Sequence, residues 1–265
     1  MNRLSKPLRL YTAITAIFAL AATVLRSACL LLAFDAEIGY FQSKNALVTA
    51  LYIMEGIFLL AALCLPLFWG KDQLSHSKPT LSLASLIGAG VTAICAVVVS
   101  VCLFASLGST AAPGGLLFFA ALLLLVGAAY FVMAFLMQSP APGTACALGY
   151  GALFGVACLL AVTYFDRYTQ MNAPHKISAH LCLLTVMLFL VYELRLVIGR
   201  PMPRALMAAS ALAFFFNAAC GISNVVAFLA GRYDSALYLS VDLFSVAFAL
   251  YAGARMVDTC LAQKE

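Results

Sequence analysis

From Pro79 to Phe165 the chain contains no Asp, Glu, Lys, Arg or His. Soluble domains carry about 25% charged residues, whereas this chain is 9% charged and 65% hydrophobic. Apolar runs of about 20 residues, each long enough to cross a hydrocarbon core of about 30 Å, recur along the whole length. The sequence therefore predicts an all-α, polytopic transmembrane helix bundle in a lipid bilayer, and it excludes a water-soluble core.

Eight spans account for these runs, at about 9–33, 46–69, 81–107, 115–137, 145–165, 177–199, 204–230 and 237–258. All prolines except Pro66 lie between or just outside these spans, where proline is expected to end a helix. We expect residues 1–265 to form a single integral membrane domain. The alternative is a cleaved signal peptide ending near the small-residue sequence ALA at 19–21, which would leave seven spans. The apolar run continues to Phe34, which favours eight.

Lysine and arginine predict the orientation, because cytoplasmic loops of membrane proteins carry an excess of both. With the N-terminus inside, the cytoplasmic side holds Arg3, Lys6, Arg9, Lys71, Lys78, Arg195, Arg200, Arg204, Arg255 and Lys264. The outer side holds only Lys44, Arg167, Lys176 and Arg232, together with the acidic residues Asp35, Glu37, Asp166 and Asp234. We therefore expect a multi-pass plasma-membrane protein whose N- and C-termini are both cytoplasmic.

The net charge of +5 does not indicate a nucleic-acid partner, since the basic residues lie at the ends of apolar runs and no basic patch has interleaved aromatics. The loops are too short to contain an ATPase, kinase or solute-binding domain. None of the nine cysteines forms a Cys-x-x-Cys pair, and the motifs His-Glu-x-x-His and Gly-x-Ser-x-Gly are missing. The sequence indicates no cofactor, no metal and no catalytic residues, and it favours a protein that is not an enzyme.

Two segments are consistent with an internal duplication. LLAFD ends the first span at Asp35, and VTYFD ends the fifth span at Asp166. Each is followed by an aromatic residue and an Asn-Ala step, and four spans per half would make a 4+4 repeat parallel. The alternative is that outer turns of membrane proteins favour an aromatic residue beside an acid because of the chemistry of the interface.

Ionisable groups inside the membrane cost about 2.5–3.5 kcal/mol each on insertion scales, so each needs a partner or a purpose. From the helical rise per residue, Arg26 on the first span and Asp242 on the eighth lie at comparable depths in the outer half. We expect them to form an ion pair. Glu55 lies near the midplane, close to the level of Asn217, its expected hydrogen-bonding partner. His180 lies nearer the outer edge.

These positions favour an outward-facing polar pocket that binds or translocates a small solute or an ion. Its ligand-binding residues would be Glu55, Asn217, Arg26 and Asp242, and its outer rim would be Asp35, Asp166 and His180. One alternative is a membrane-embedded enzyme that uses Asp35 and Asp166 on a lipid or lipid-linked substrate. The other is a non-catalytic accessory or sensor subunit.

Spans 3 to 5 carry small residues where other spans carry charges. Gly151-x-x-x-Gly155 is a close-packing pattern for membrane helices. These spans therefore predict either a lipid-facing scaffold or a packing surface, through which a second copy of the chain or a partner subunit would bind. At the inner ends of the sixth and eighth spans, Glu193 and Arg255 lie at the same level. We expect these two residues to form an ion pair.

The segments YFDRYTQMNAPHK (164–176) and MLFLVYELRLVIGRPMPR (187–204) resemble segments of uncharacterised bacterial polytopic membrane proteins. The resemblance covers the sixth span and its flanks. It implies a bacterial multi-pass membrane protein, and it assigns no activity and no role to any residue.

Overall fold

The computed structural model describes residues 6–35, 38–42, 44–68, 81–108, 112–137 and 142–261. Several charges used above for the orientation lie outside these described residues: Arg3, Glu37, Lys71, Lys78 and Lys264. Within the described part of the chain, eight helices are long and apolar enough to cross a membrane. This confirms the predicted all-α, multi-pass bundle, whereas the cleaved signal peptide and the 4+4 repeat remain predictions.

The helices are α1 (Lys6–Leu32), α2 (Ala46–Cys64), α3 (Leu83–Ala105), α4 (Gly114–Met137), α5 (Pro142–Phe165), α6 (Pro174–Val197), α7 (Pro203–Leu229) and α8 (Ala236–Leu261). A hairpin of β1 (Phe34–Asp35) and β2 (Tyr40–Phe41) joins α1 to α2, and a 3₁₀ turn (Leu65–Phe68) follows α2. Helices α5, α6 and α7 each begin with a proline. Proline suits this position because its fixed φ is helical and the first amide hydrogen has no partner within the helix.

Six of the helices, α3 to α8, form a closed ring. Each packs against the next, and α8 returns to pack against α3. Helix α1 is added to this ring at α7, and α2 packs mainly against α1. Burial follows this order, since 67% of the apolar membrane-spanning stretch of α7 is buried, compared with only 22% of that of α2. Helix α7 is therefore the central helix, and α2 is the most peripheral.

The two membrane faces of the bundle differ in their polar residues. We call the face with the β1–β2 hairpin, the α5–α6 turn (166–173) and the α7–α8 turn (230–235) the hairpin end. We call the opposite face, with the α6–α7 turn (198–202), the arginine end, because Arg195, Arg200 and Arg204 lie there.

Glycines allow very close contact between neighbouring helices. A Cβ atom added at Gly155 on α5 would lie 2.8 Å from the Leu123 carbonyl carbon on α4. At Gly88 on α3 it would lie 2.8 Å from the Tyr251 Cα on α8. In both places the obstacle is backbone, which cannot rotate away as a side chain can. The predicted close packing at Gly151-x-x-x-Gly155 is confirmed, and it joins α5 to α4.

We expect Gly155→Ala to lower the free energy of unfolding by about 1–3 kcal/mol, because the added methyl group forces α4 and α5 apart. The matched control is Gly143→Ala in the same helix, where an added Cβ meets nothing within 4 Å. That change should be neutral or stabilising by up to about 1 kcal/mol, since alanine is the better helix former. Thermal unfolding in detergent measures both, and equal melting temperatures would contradict the expectation.

Candidate functional site

A buried arginine in the half of the bundle nearer the hairpin end is the centre of the candidate site. Arg26 on α1 is 4% exposed, and its Nη1 lies 3.7 Å from Glu55 Oε1 on α2. Its Nη2 donates to the Pro174 carbonyl at the start of α6, at 3.1 Å. Arg26 therefore joins three helices through a single guanidinium group.

The predicted ion pair between Arg26 and Asp242 is wrong, because Arg26 pairs with Glu55 instead. Arg26 and Asp242 lie at similar depth, but α1 packs against α2 and α7, and its contact with α8 is slight. Asp242 instead accepts hydrogen bonds from Asn224 Nδ2 at 2.9 Å and from the Tyr233 hydroxyl at 2.6 Å. The buried Asp242 carboxyl is thus held by neutral donors.

A stack of aromatic rings covers Asp242 at the hairpin end. The His175 ring stacks on Tyr233 with centroids 5.1 Å apart, and meets Tyr238 edge-on at 5.2 Å. Burial and the neighbouring Asp242 carboxylate raise the pKa of the Tyr233 hydroxyl. Tyr233 therefore stays protonated at neutral pH and can keep donating to Asp242.

The predicted rim acids stabilise turns. Asp166 Oδ1 accepts from the Tyr168 amide at 3.1 Å, and its Oδ2 accepts from the Tyr238 hydroxyl at 3.2 Å. Asp35 Oδ1 accepts from the Ile38 amide at 3.3 Å. Such bonds, in which a nearby backbone amide donates to an Asp side chain, are typical of turns. The third rim residue, His180, lies on α6 beside Tyr164 of α5, at 6.2 Å between ring centroids.

Asn217 joins α7 to α6. Its Nδ2 donates to Thr185 Oγ1 at 3.0 Å and to the Ala213 carbonyl at 2.9 Å. The predicted hydrogen bond between Asn217 and Glu55 is wrong, because this amide meets α6 whereas Glu55 meets Arg26 on α1. The ligand-binding roles of Glu55, Asn217, Arg26 and Asp242 remain predictions.

A cavity of about 350 Å³ opens at the hairpin end beside the charge pair. Its lining comes from β2, the first two turns of α2 and the α5–α6 connection: Tyr40, Phe41, Gln42, Lys44, Asn45, Val48, Thr49, Tyr52, Asn172 and Pro174. Pro174 contributes the carbonyl that Arg26 binds. Tyr52 lies one helical turn before Glu55 on α2 and interacts electrostatically with both Arg26 and Glu55. The cavity therefore ends above the charge pair.

The charge pair keeps unused hydrogen-bonding capacity. Arg26 Nε and Glu55 Oε1 are buried and have no hydrogen-bond partner among the described residues. Buried polar atoms in folded proteins nearly always have a partner, so such atoms mark a place where a polar group can bind. A guanidinium with free donors is suited to a planar oxyanion such as a carboxylate.

A second buried charge cluster lies toward the arginine end. Glu193 Oε1 on α6 accepts from Arg255 Nε on α8 at 2.9 Å and from the Tyr251 hydroxyl at 2.7 Å. Arg255 Nη1 lies 3.8 Å from Asp258, whose Oδ2 accepts from the Ser85 hydroxyl at 2.5 Å. The predicted pair of Glu193 and Arg255 is confirmed, and the cluster ties α6, α8 and α3 together.

Several members of these clusters were missed in the sequence because uncharged side chains give no signal of their own. Ser178 accepts from Asn224 at 3.0 Å, and Ser85 binds Asp258. The available clue to these members was a hydroxyl residue positioned to face a predicted buried acid on a neighbouring helix. Among the described residues, no three His, Cys, Asp or Glu side chains lie together as ligands for a metal ion.

No protein-family model matches this chain, and neither a curated protein nor a solved structure is detectably similar to it. Function is therefore inferred from the contacts, burial and charges of the chain itself.

We expect Glu193→Gln to destabilise the protein by an amount near the lower end of about 3–5 kcal/mol, because it leaves the buried Arg255 without its nearest counter-charge while Asp258 remains. The double variant Glu193→Leu with Arg255→Met should recover part of this loss, since the Glu193–Arg255 pair is then removed whole and Asp258 keeps its hydrogen bonds from the Ser85 hydroxyl and the Ser82 amide. Asp234→Asn, at an exposed position, is the control and should leave the melting temperature unchanged. A double variant as unstable as the single one would contradict this explanation.

Proposed function

We propose that the protein binds, and translocates, a small anionic solute through the cavity at the hairpin end, with Arg26 as the anion-binding residue and Glu55 as its proton-responsive partner. The observation that carries the proposal is the buried guanidinium of Arg26, which contacts Glu55 and the carbonyl of Pro174 at the edge of the cavity.

The chemistry follows from competition for one arginine. While Glu55 is ionised, its carboxylate neutralises Arg26, so an incoming anion gains little binding free energy from the arginine. When Glu55 takes up a proton, Arg26 loses its counter-charge, and an anion that reaches it restores the balance. Anion binding and proton binding therefore favour each other, as thermodynamic linkage requires. Such coupling would let a proton gradient drive uptake of the solute.

Tyr52 is positioned to act as the gate of this site. It lines the cavity, lies one turn before Glu55, and is 55% exposed. An exposed aromatic ring can change rotamer rapidly without disturbing packing. Movement of the Tyr52 side chain would connect the cavity with the charge pair. The tightly packed helices α3 to α8 need not move for this.

The contacts of the acids Asp35 and Asp166 support solute binding over a lipid-modifying enzyme. Both side chains accept hydrogen bonds from backbone amides of their own turns. The Lys176 ammonium also donates to the Asp166 carbonyl at 2.7 Å, which further stabilises that turn. Acids whose oxygens are already bonded within their own turns are suited to support the entrance of a binding site and not to act on a lipid substrate.

We also propose that the chain forms one integral domain of the plasma membrane, with the hairpin end outside and both termini in the cytoplasm. Arginines at the α6–α7 turn and acids at the hairpin end support this orientation, because positively charged loops stay in the cytoplasm. Each of the eight described helices packs against at least one other, which supports a single domain.

Anion binding by the purified wild-type protein should be tighter at acidic than at neutral pH, because a proton on Glu55 releases Arg26. Glu55→Gln mimics the protonated acid, so we expect tight binding at both pH values. Arg26→Gln should abolish binding. Thermal-shift titrations with succinate, lactate and phosphate measure this, and Asp234→Asn, an exposed acid at the same end, is the control. Identical pH dependence in the wild type and in Glu55→Gln would overturn the proposal.

Reporter fusions test the orientation separately. Green fluorescent protein fused after the last residue should fluoresce, since it folds in the cytoplasm, whereas alkaline phosphatase at the same place should be inactive. The reverse result should hold for both reporters inserted in the α7–α8 turn, after Asp234. Phosphatase activity at the C-terminus would contradict the proposed orientation.

A further inference from the structure

A pair of buried cysteines lies between α6 and α7, and the proposed function makes no use of it. Cys182 on α6 and Cys220 on α7 are each 1% exposed, and their thiols form a hydrogen bond with each other. The Cys182 thiol also donates to the Phe216 carbonyl on α7 at 3.4 Å, one turn before Cys220. Both cysteines are free, so two thiol groups from neighbouring helices face each other.

The surroundings of this thiol pair are charged, whereas most buried free cysteines serve as small apolar residues. Both thiols interact electrostatically with Arg26 and with Asp242. Arg26 also binds the Pro174 carbonyl, and Pro174 lines the cavity at the hairpin end. The guanidinium of Arg26 therefore connects the lining of the cavity with the thiol pair.

Two thiols that face each other favour one class of metal ion. Thiolate sulfur is a soft ligand that selects Cu(I), Zn(II) and iron–sulfur clusters. Structural zinc sites and iron–sulfur clusters take four protein ligands, and in the described part of the chain no three His, Cys, Asp or Glu side chains form such a set. Cu(I) can bind two sulfur atoms in a line. With metal–sulfur bonds of about 2.3 Å the two sulfur atoms are about 4.6 Å apart, which hydrogen-bonded thiols reach by small side-chain rotations.

The charges of such a complex match its surroundings. Each thiol loses its proton when it binds a metal ion, so two thiols and one monovalent cation give a complex with one negative charge. An anionic complex in an apolar bundle needs a counter-charge, and the buried guanidinium of Arg26 provides it. The Nε atom of Arg26 is buried without a hydrogen-bond partner among the described residues. A divalent cation would give a neutral complex and would make no use of Arg26.

We propose that Cys182 and Cys220 form a binding site for one soft monovalent metal ion, Cu(I), which is held in a line between the two thiolates beside Arg26. Binding replaces two S–H bonds with two metal–sulfur bonds and releases two protons, and neither the metal nor the sulfur changes its oxidation state. The bound ion joins α6 to the central helix α7. This metal site does not depend on anion binding by Arg26.

The test uses the full chain, purified in mild detergent under nitrogen and titrated with Cu(I) against a chromophoric competing chelator. We expect one tightly bound ion per chain. Calorimetry in two buffers of different ionisation enthalpy should show about two protons released per ion. Cys182→Ser and Cys220→Ser should each weaken binding by more than about 100-fold, since loss of an outer-shell partner alone costs about 10- to 100-fold. Serine is tolerated at such positions because its hydroxyl can donate to the carbonyl one turn earlier, as Ser210 does.

The matched control is Cys260→Ser. Cys260 is 2% exposed, and its thiol contacts the Met207 sulfur at 3.9 Å, so this change also removes one half of a buried sulfur pair. We expect the affinity for Cu(I) to stay unchanged in Cys260→Ser. A site made of this thiol and thioether would release only one proton per ion, because a thioether has none to lose.

X-ray absorption spectroscopy of the wild-type protein with one equivalent of Cu(I) keeps the test decisive if a serine variant folds poorly. The spectrum should show two sulfur neighbours of the copper ion and no nitrogen or oxygen neighbour. Four results would each overturn the proposal: no Cu(I) retained against the chelator, equal losses of affinity in Cys220→Ser and Cys260→Ser, one proton released per ion, or nitrogen or oxygen atoms bound to the copper.

Discussion

A guanidinium group cannot remain in an apolar bundle unless acceptors surround it, and two such groups organise this protein. Arg26 is paired with Glu55 and a backbone carbonyl, and Arg255 with Glu193 and Asp258. Three of these four partners, Glu55, the Pro174 carbonyl and Glu193, belong to a helix other than that of their arginine, whereas Asp258 lies on α8 with Arg255. The need to neutralise charge in a medium without water therefore fixes the relative rotation of helices whose apolar surfaces would pack in several ways.

The two clusters differ in what they leave free. Toward the arginine end, the cluster around Arg255 is wrapped by α3, α6 and α8 in the tightly packed ring, which suits a fixed structural tie. The pair of Arg26 and Glu55 lies where α1 and α2 are added to that ring, next to a cavity. A long ion-pair distance of 3.7 Å and buried atoms without partners make this second pair the more adaptable one. A ligand-binding site is best placed where the rigid ring of α3 to α8 meets the more loosely packed helices α1 and α2.

Hydropathy was sufficient to predict eight helices, because crossing the membrane requires only length and apolar composition. It was also sufficient for Glu193 with Arg255, since opposite charges at one level near two helix ends had few other partners. It failed for Arg26 with Asp242, because position along a helix gives depth and says nothing about which neighbour the side chain faces. Tyr233 was missed for a related reason. It belongs to a turn, and only the folded chain returns its hydroxyl to Asp242.

The contact between Arg26 and Glu55 also bears on how the chain enters the membrane during synthesis. Helix α1 has its largest interface with α7, which is made much later. Until then the first two helices must remain in lipid with one cation and one anion between them, at a cost of about 2.5–3.5 kcal/mol for each isolated charge. Because both charges lie on adjacent helices of one hairpin, they neutralise each other from the start. The first hairpin can therefore enter the bilayer with no net charge from Arg26 and Glu55 inside the hydrocarbon core before α7 is made.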